Sequence, residues 1–361
     1  MTEPAEADVA APSRDGTRLR LLPTSILFVL ANAPRAYWRG ADRFSDALFN
    51  TLIALRWKRN TRTFARNLGY MPNFSAPRSF SEKMQWRKLF DRNCLFPLLC
   101  DKLAVRDYVR ARAPDLVFPK IYWSGGNPEA VPFDDLQPPF VIKPSNRSGK
   151  IILVREKSGL DRKAIVRAAR KWRRSRSHGR RLGEWAYSRV PNRILVEEFL
   201  STKGALVSPA DFKIFVFHGT AEFVYFSQGR HSDGGRLRGL YTRDWQQIPV
   251  DKWHKKGLVT LQGGVPRPGR LADLIAAAEA IAADLDHLRV DLYLLGDKIY
   301  FSETTIYHYS GIATYFSKNA NTDPAPPRLV DDELGAFWTL PSLSRREQWK
   351  RGLLGFLSSG E

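Results

Sequence analysis

Apolar positions in this chain recur at two different spacings, and the change from one to the other divides it. Through residues 17–70 apolar and basic positions follow a helical rhythm. Residues 78–112, RSFSEKMQWRKLFDRNCLFPLLCDKLAVRDYVRAR, read as two further helices. A helix start is written at Ser79–Lys83, with Ser81 ahead of Glu82 and Lys83. Shorter runs then take over. Leu116–Trp123 (LVFPKIYW) and Phe140–Lys143, the latter introduced by Pro138-Pro139, predict strands, and 160–176 a basic helix. Arg193–Phe199, Asp211–Phe217 and Ala221–Phe226 are rich in β-branched and aromatic residues and predict strands. His218-Gly219 reads as a hairpin turn between the last two. Leu271–Leu285 is an Ala-rich helix, followed by strands at Arg289–Leu294 and Lys298–Phe301 joined at Gly296-Asp297. No internal repeat is visible. Helices mixed with antiparallel strands predict an α+β chain, not a doubly wound parallel sheet.

Composition sharpens this picture. With 361 residues, 43% of them apolar, the chain can bury cores for two or three lobes. Residues 1–16, rich in Ala, Pro, Ser and acids, are expected to be disordered. Leu21–Pro34, interrupted by Pro23 and Ser25 and flanked by arginines, is too short to cross a bilayer and lacks a signal-peptide cleavage site. It suits a helix over the core or a contact with a membrane surface. The net charge of +20 favours a polyanionic partner: nucleic acid, anionic lipid or acidic glycan. Much of it lies in 162–181, RKAIVRAARKWRRSRSHGRR, either a solvated helix face or a dock for an anionic substrate. Without a zinc finger, GXXG loop or RNP motif, nucleic acid is the weakest of these. Cys94 and Cys100 offer neither a disulfide framework nor metal spacing. The expected location is therefore the reducing cytoplasm, or the inner face of its membrane.

Candidate chemistry collects in a few segments. Asp291 and Glu303 sit on the two arms of the last hairpin, where pairing can bring them together. Side by side, two carboxylates want a cation, and magnesium suits a site of few protein oxygens, with Thr305 as a neutral third; surface charge on a hairpin is the alternative. Lys143 ends an apolar strand, where an ammonium needs a partner such as phosphate. The loop Ser145–Lys150 after it could cover phosphates but is no Walker loop. Asp211 and Lys213 share one face of their strand, suiting a ribose and a phosphate, or simply each other. Glu197 and Glu198 end a strand, where a carboxylate can accept from an adenine amino group and the backbone can pair with the purine edge.

The order of these segments is that of ATP-grasp enzymes. More narrowly, the chain resembles the TupA-like ATP-grasp family, associated with teichuronopeptide and other surface-polysaccharide biosynthesis. The resemblance runs through SFSEKMQWRKLFDRN (79–93), CDKLAVRDYV (100–109), FVIKPSNRSGK (140–150), GEWAYSRVPNRILVEEFL (183–200), DFKIFVFHG (211–219) and RVDLYLLGDKIYFSETT (289–305). It implies ATP held between two α+β lobes behind a helical extension. The implied boundaries are an extension over 17–75, an N-terminal lobe over 76–135, a middle lobe over 136–200, a C-terminal lobe with the magnesium site over 201–320, and a tail over 321–361. The resemblance further implies Lys102, Lys143 and Lys150 on nucleotide phosphates, and Glu197 on adenine with backbone contacts from Glu198 to Leu200. Asp211 then holds the ribose, Lys213 a phosphate, and Asp291, Glu303 and Thr305 the metal, while Arg289 faces the transferred phosphate. Two departures stand out. Arg147 occupies a loop position where the family carries Gly, and Thr305 is followed by the aromatic Tyr307-His308-Tyr309, which could line an acceptor site or pack.

The chemistry so implied is an amide-forming ligase. A carboxylate attacks the γ-phosphorus, and an amine displaces phosphate from the acyl phosphate. Positioning and electrostatics suffice for this, in keeping with the lack of a Ser/His/Asp or Cys/His arrangement. The expected partners are ATP and a carboxylate-bearing glycan or amino acid. The rival readings are a glycosyltransferase of the same pathway, a kinase using the same cradle, and a non-catalytic basic scaffold on membrane or polysaccharide.

Overall fold

A computed structural model describes residues 42–354 apart from 148, 175–178, 180–181, 202–207, 230–235, 249–257, 260–263 and 313–327. The disorder expected for 1–16, the helix expected over 17–41 and the end of the basic run lie outside the described residues. Two helices, α1 (Asp42–Arg56) and α2 (Lys58–Leu68), come first, the second closed by Gly69 in the left-handed region. The segment 78–112 holds three helices where two were expected: α3 (Phe80–Phe90), α4 (Leu95–Cys100) and α5 (Val105–Arg112). The extra break is made by local side chains. Asp91 accepts from the amide of Asn93 at 3.1 Å, and Asn93 from that of Leu95 at 2.9 Å. The start of α3 also differs in detail from expectation. Ser79, not Ser81, caps it, in a reciprocal capping box with Glu82.

Eleven strands are seen among the described residues, in two sheets. The first sheet runs β1–β4–β2–β3, all antiparallel: β1 (Ile121–Gly125), β2 (Phe140–Pro144), β3 (Ile152–Val154) and β4 (Ile194–Glu198). The strand expected over 116–123 is split at Pro119. Val117 bonds instead to Ile299 and Phe301 of the other sheet, and only from Ile121 does the chain join the first. The second sheet has the order β11–β10–β5–β6–β7–β8, with β9 parallel to β7. Its strands are β5 (Ala210–Phe217), β6 (Thr220–Gln228), β7 (Arg236–Thr242), β8 (Gln247–Ile248), β9 (Leu258–Val259), β10 (His287–Leu295) and β11 (Lys298–Thr305). The tight turn between β5 and β6 has φ of 48° at His218 and 79° at Gly219, the two positive values that match hairpin twist.

Each sheet presents one face to a core. On the first, Phe140, Ile142, Ile194 and Val196 pack beneath Ile165, Ala169 and Trp172 of α6 (Arg162–Arg174). The second carries α7 (Leu271–Ala282), which buries Leu274, Ala278 and Ile281. Beside the second sheet lies α3, buried on nearly all sides, so its polar groups need fixed partners. Arg87 supplies one such case: it donates to the His287 carbonyl (2.9 Å) and to Asp286 (2.5 Å), with its guanidinium 4.3 Å from the Trp338 ring. A third cluster, around Phe49, Phe90 and Trp349, joins α1 and α3 to the C-terminal helix α9 (Arg345–Leu354).

The helix α8 (Arg328–Ala336) docks on the start of α3. Asp331 accepts from the Ser81 hydroxyl and amide, and Lys83 donates to the carbonyls of Gly335 (2.8 Å) and Trp338 (2.5 Å). A Cβ built on Gly335 would stand 2.1 Å from the Arg78 carbonyl oxygen. Gly335→Ala should therefore cost on the order of 1–3 kcal/mol in urea unfolding. Burial holds the Asp331 carboxyl up at about 6, above its ordinary 3.8. The folded state thus takes up a proton first as pH falls. The stabilisation is complete below pH 3.8 and is lost as pH rises through 6. Asp331→Asn should flatten the rise in thermal midpoint seen on going from pH 7 to pH 5.

Candidate active site

The free faces of the two sheets look at each other across a cleft. Val141, Lys143 and Glu197 line it from the first sheet, and Tyr293, Phe301 and Ser302 from the second. Leu200, Ser208 and Pro209, from the chain that joins the sheets, close one side, and Lys102 and Arg106 another. Strand alternation explains the sorting. Phe140 and Ile142 point to α6, so Val141 and Lys143 point to the cleft. On β4, Glu197 falls diagonally across from Lys143, because Lys143 is registered with Leu195. The two side chains form an ion pair. Burial pulls the Lys143 ammonium down, but Glu197 outweighs it and holds it above the usual lysine range.

A lattice of charge occupies the adjoining face of the second sheet. Lys213 reaches Asp211 at 2.8 Å on its own strand and Asp291 at 2.7 Å on β10. Asp291 is fully buried and is gripped from its other side by Arg289, Nε to Oδ1 and Nη2 to Oδ2, both at 2.7 Å. A bulge at Ser302 sets Glu303 opposite Asp291 and Thr305 opposite Arg289, while Phe301 stays opposite Leu292. Arg289 donates to Thr305 Oγ1 at 2.9 Å, and its guanidinium lies 3.9 Å from Glu303. The same guanidinium donates to Nδ1 of buried His308. Burial, then the charge of Arg289, keeps that imidazole neutral, well below the ordinary histidine range. Lys102 stands 3.3 Å from Glu303 and also donates to the Arg147 carbonyl at 3.0 Å, so it ties the lattice to the loop after β2. Burial pushes the Glu303 carboxyl up, but Lys102, Arg289, Lys213 and Lys143 together bring it down to about 2.

The cation between the two acids in this structure is thus the Arg289 guanidinium. Among the described residues no group of three or more His, Cys, Asp or Glu forms a ready metal cage. Magnesium needs no such cage, since it takes one or two carboxylates and completes its shell with phosphate and water. Glu303 fits that requirement: its side chain is 28% exposed and carries a firmly ionised oxygen pair. Asp291 fits less directly, because both its oxygens are already engaged by Arg289 and Lys213.

The TupA-like ATP-grasp family model matches residues 82–324. The chain belongs to this family. Its α+β architecture, two sheets facing across a cleft with helices ahead of them, is the ATP-grasp fold. Among solved structures, the chain is similar to an L-amino acid ligase from Bacillus licheniformis, with 14% identity and a TM-score of 0.36 over 60% of this chain and 45% of that one. It is similar also to a D-alanine–D-alanine ligase from Bacillus anthracis complexed with ATP, with 13% identity and a TM-score of 0.33 over 58% and 53%. A third is the ATP-grasp ligase PsnB with minimal precursor, Mg and ADP, with 14% identity and a TM-score of 0.33 over 87% and 74%. The chain spans about half the length of the first two. No curated protein matches it.

Of the residues singled out in the TupA-like sequence, Lys102, Lys143, Glu197, Glu198 and Leu200 line the cleft. Asp211, Lys213, Arg289, Asp291, Glu303 and Thr305 form the lattice beside it. Lys150 is exposed on the turn between β2 and β3 and does not line this cleft. The Glu198 amide donates to the Lys120 carbonyl at 2.8 Å, and its carboxylate accepts from the Lys120 amide at 3.0 Å. Of the aromatic trio, Tyr307 packs against Phe96 and Tyr187, His308 supports Arg289, and Tyr309 is exposed. Sequence reasoning missed Arg106 and Tyr293. The second carried a signal, being on the Arg289-Asp291 face of β10. Removing the ammonium from the lattice leaves two acids buried beside each other. Lys213→Met should therefore cost on the order of 3–5 kcal/mol, whereas Glu303→Gln, at the open edge, should cost less, about 1–2 kcal/mol, both read by urea unfolding.

Proposed function

We propose that the chain is an ATP-dependent carboxylate–amine ligase that forms an amide through an acyl phosphate. The observation that carries this reading is the convergence of Lys102, Lys143 and an apolar slot in one cleft between the sheets, with Lys213 and the ionised Glu303 in the lattice directly beside it. The adenine lies between Val141, Leu200 and Phe301, with Glu197 to accept from its amino group. Asp211 takes the ribose. Lys102, Lys143 and Lys213 spread charge from the phosphates, and Arg289 faces the phosphoryl group in transfer.

The ion pairs of the free protein explain how such a site fills. Lys102 is held by Glu303 and Lys143 by Glu197, so neither ammonium is left unpaired in the cleft. A phosphate that takes Lys102 deprives Glu303 of a cation, so ATP should enter with a divalent ion. Glu303 would hold that magnesium, with Asp291 and Thr305 beside it, and the ion would neutralise charge developing on the phosphates. Arg289, locked flat by Asp291, Thr305 and His308, is set in place before the reaction and needs no reorganisation during it. The substrate carboxylate attacks the γ-phosphorus and ADP leaves. An amine then displaces phosphate from the acyl phosphate and gives up its proton. A uronic acid on a surface glycan, or an amino acid, is the carboxylate this reading favours, in polysaccharide or glycopeptide biosynthesis. Exposed Tyr309, after the Glu303-Thr305 strand, borders the place where it would arrive.

The test is a screen of uronic acids and amino acids for ADP release. ADP and phosphate should appear only with both carboxylate and amine present. A phosphorylated product that accumulates without amine would select a kinase instead. Glu303→Gln should lower kcat by on the order of 100-fold or more while remaining folded, and Asp291→Asn should lower it at least as far and also lower the thermal midpoint, since it leaves two buried cations short of a partner. ATP with magnesium should raise the thermal midpoint of the unaltered protein, and no rise at saturating ATP would refute the reading.

A further inference from the structure

The basic run is a sequence feature that the cleft leaves unused. Helix α6 spans 13 residues with seven bases and no acid. Three of the bases have local partners. Arg162 pairs with Asp134, Arg170 with Glu129, and Arg173 donates to the Asn192 carbonyl. Lys163, Arg167, Lys171 and Arg174 are exposed and have no acidic partner among the described residues. At 3.6 residues per turn these four fall within about 80° of one another, on the side opposite the buried Ile165, Ala169 and Trp172. They form a ladder about 16 Å long.

We propose that this ladder docks the protein on an anionic lipid surface by binding headgroup phosphates. The geometry argues for that partner over other polyanions. The apolar side of α6 is spent on the core, and its outer face carries no large exposed apolar residue, so the contact is electrostatic and does not enter the acyl region. An aromatic platform for stacking bases is likewise missing from that face, because Trp172 points inward. The helix also lies behind the first sheet. Phe140 and Ile142 face it, whereas Val141 and Lys143 face the cleft. A substrate polymer held on α6 would be cut off from the lattice by a layer on the order of 10 Å thick. A surface that only holds the protein has no such difficulty, and leaves the cleft open on the far side. The inference is independent of the chemistry proposed for the cleft.

The experiment is co-sedimentation of the full chain with vesicles of phosphatidylcholine, with and without phosphatidylglycerol. The control is the fourfold variant K163A/R167A/K171A/R174A, whose altered side chains are exposed and whose fold is checked by its thermal midpoint. The unaltered chain should bind the mixed vesicles at low salt, leave them at high salt, and ignore pure phosphatidylcholine. Four cations near such a surface together strengthen partitioning by a factor on the order of 1,000, so the variant should lose 100-fold or more. Equal binding by the variant would overturn the proposal and place the contact elsewhere on the chain. Equal binding to pure phosphatidylcholine would overturn it in favour of apolar insertion. Tighter binding of a soluble polyuronate than of the mixed vesicles would assign the ladder to an acidic polymer instead.

Discussion

Charges taken out of water must neutralise one another, and here that requirement organises the middle of the molecule. Asp291 has no solvent contact at all, so its two oxygens need cations, and Arg289 and Lys213 supply them. Lys213 in turn is held by Asp211 as well, and the two acids together outweigh its burial. Arg289 reaches on to Thr305, His308 and Glu303. The bulge at Ser302 follows from the same need, because it alone sets Glu303 level with Asp291 without turning Phe301 out of the core. On the proposed reading, a phosphate and a divalent ion would enter this lattice by exchange of partners, without any bare charge being created.

The second sheet serves two purposes on one face. Asp211 and Lys213 face the cleft, and two residues on, Phe215 and Phe217 lie under Phe80 and close to His287. The boundary between wet and dry halves falls at Arg289 and His308. Burial, reinforced by the charge of Arg87, takes His287 down to about 3, so this histidine belongs to the dry half as a neutral ring. The covering helix α3 can be buried on nearly all sides because its polar groups end on specific carbonyls and acids. Lys88, brought down to about 7 by burial against the pull of Glu184, holds the Ser310 carbonyl at 2.8 Å. That contact steadies Tyr309 and Ser310, with φ of 42° and 57°, directly beyond the lattice.

The first sheet likewise has two faces with different work. One closes on the nucleotide cleft, the other carries α6 and its ladder of bases. The two are linked through Lys143 and its apolar neighbours on a single strand, so a protein lying with α6 against a surface would hold its cleft away from it.

Much of this was written locally. The period of two in DFKIFVF and RVDLYLL put Asp211 with Lys213 and Arg289 with Asp291, whatever the rest of the chain did. The Gly296 turn, with φ of 58°, made the Asp291–Glu303 pairing available from the hairpin alone. Likewise the spacing of Ile165, Ala169 and Trp172 lies in the sequence, although it takes the first sheet to bury that side of α6. Other features answered to distant partners. Pro119 is where the chain leaves one sheet for the other, Ser81 is claimed by Asp331 some 250 residues away, and the Glu198 amide is claimed by Lys120. Arg106 enters the cleft only because α5 packs where it does. The charge balance belongs to this second group as well. Sequence supplied two acids in want of a cation, but which cation stands between them was decided by folding, because desolvation acts on the assembled site and has no counterpart in an isolated strand.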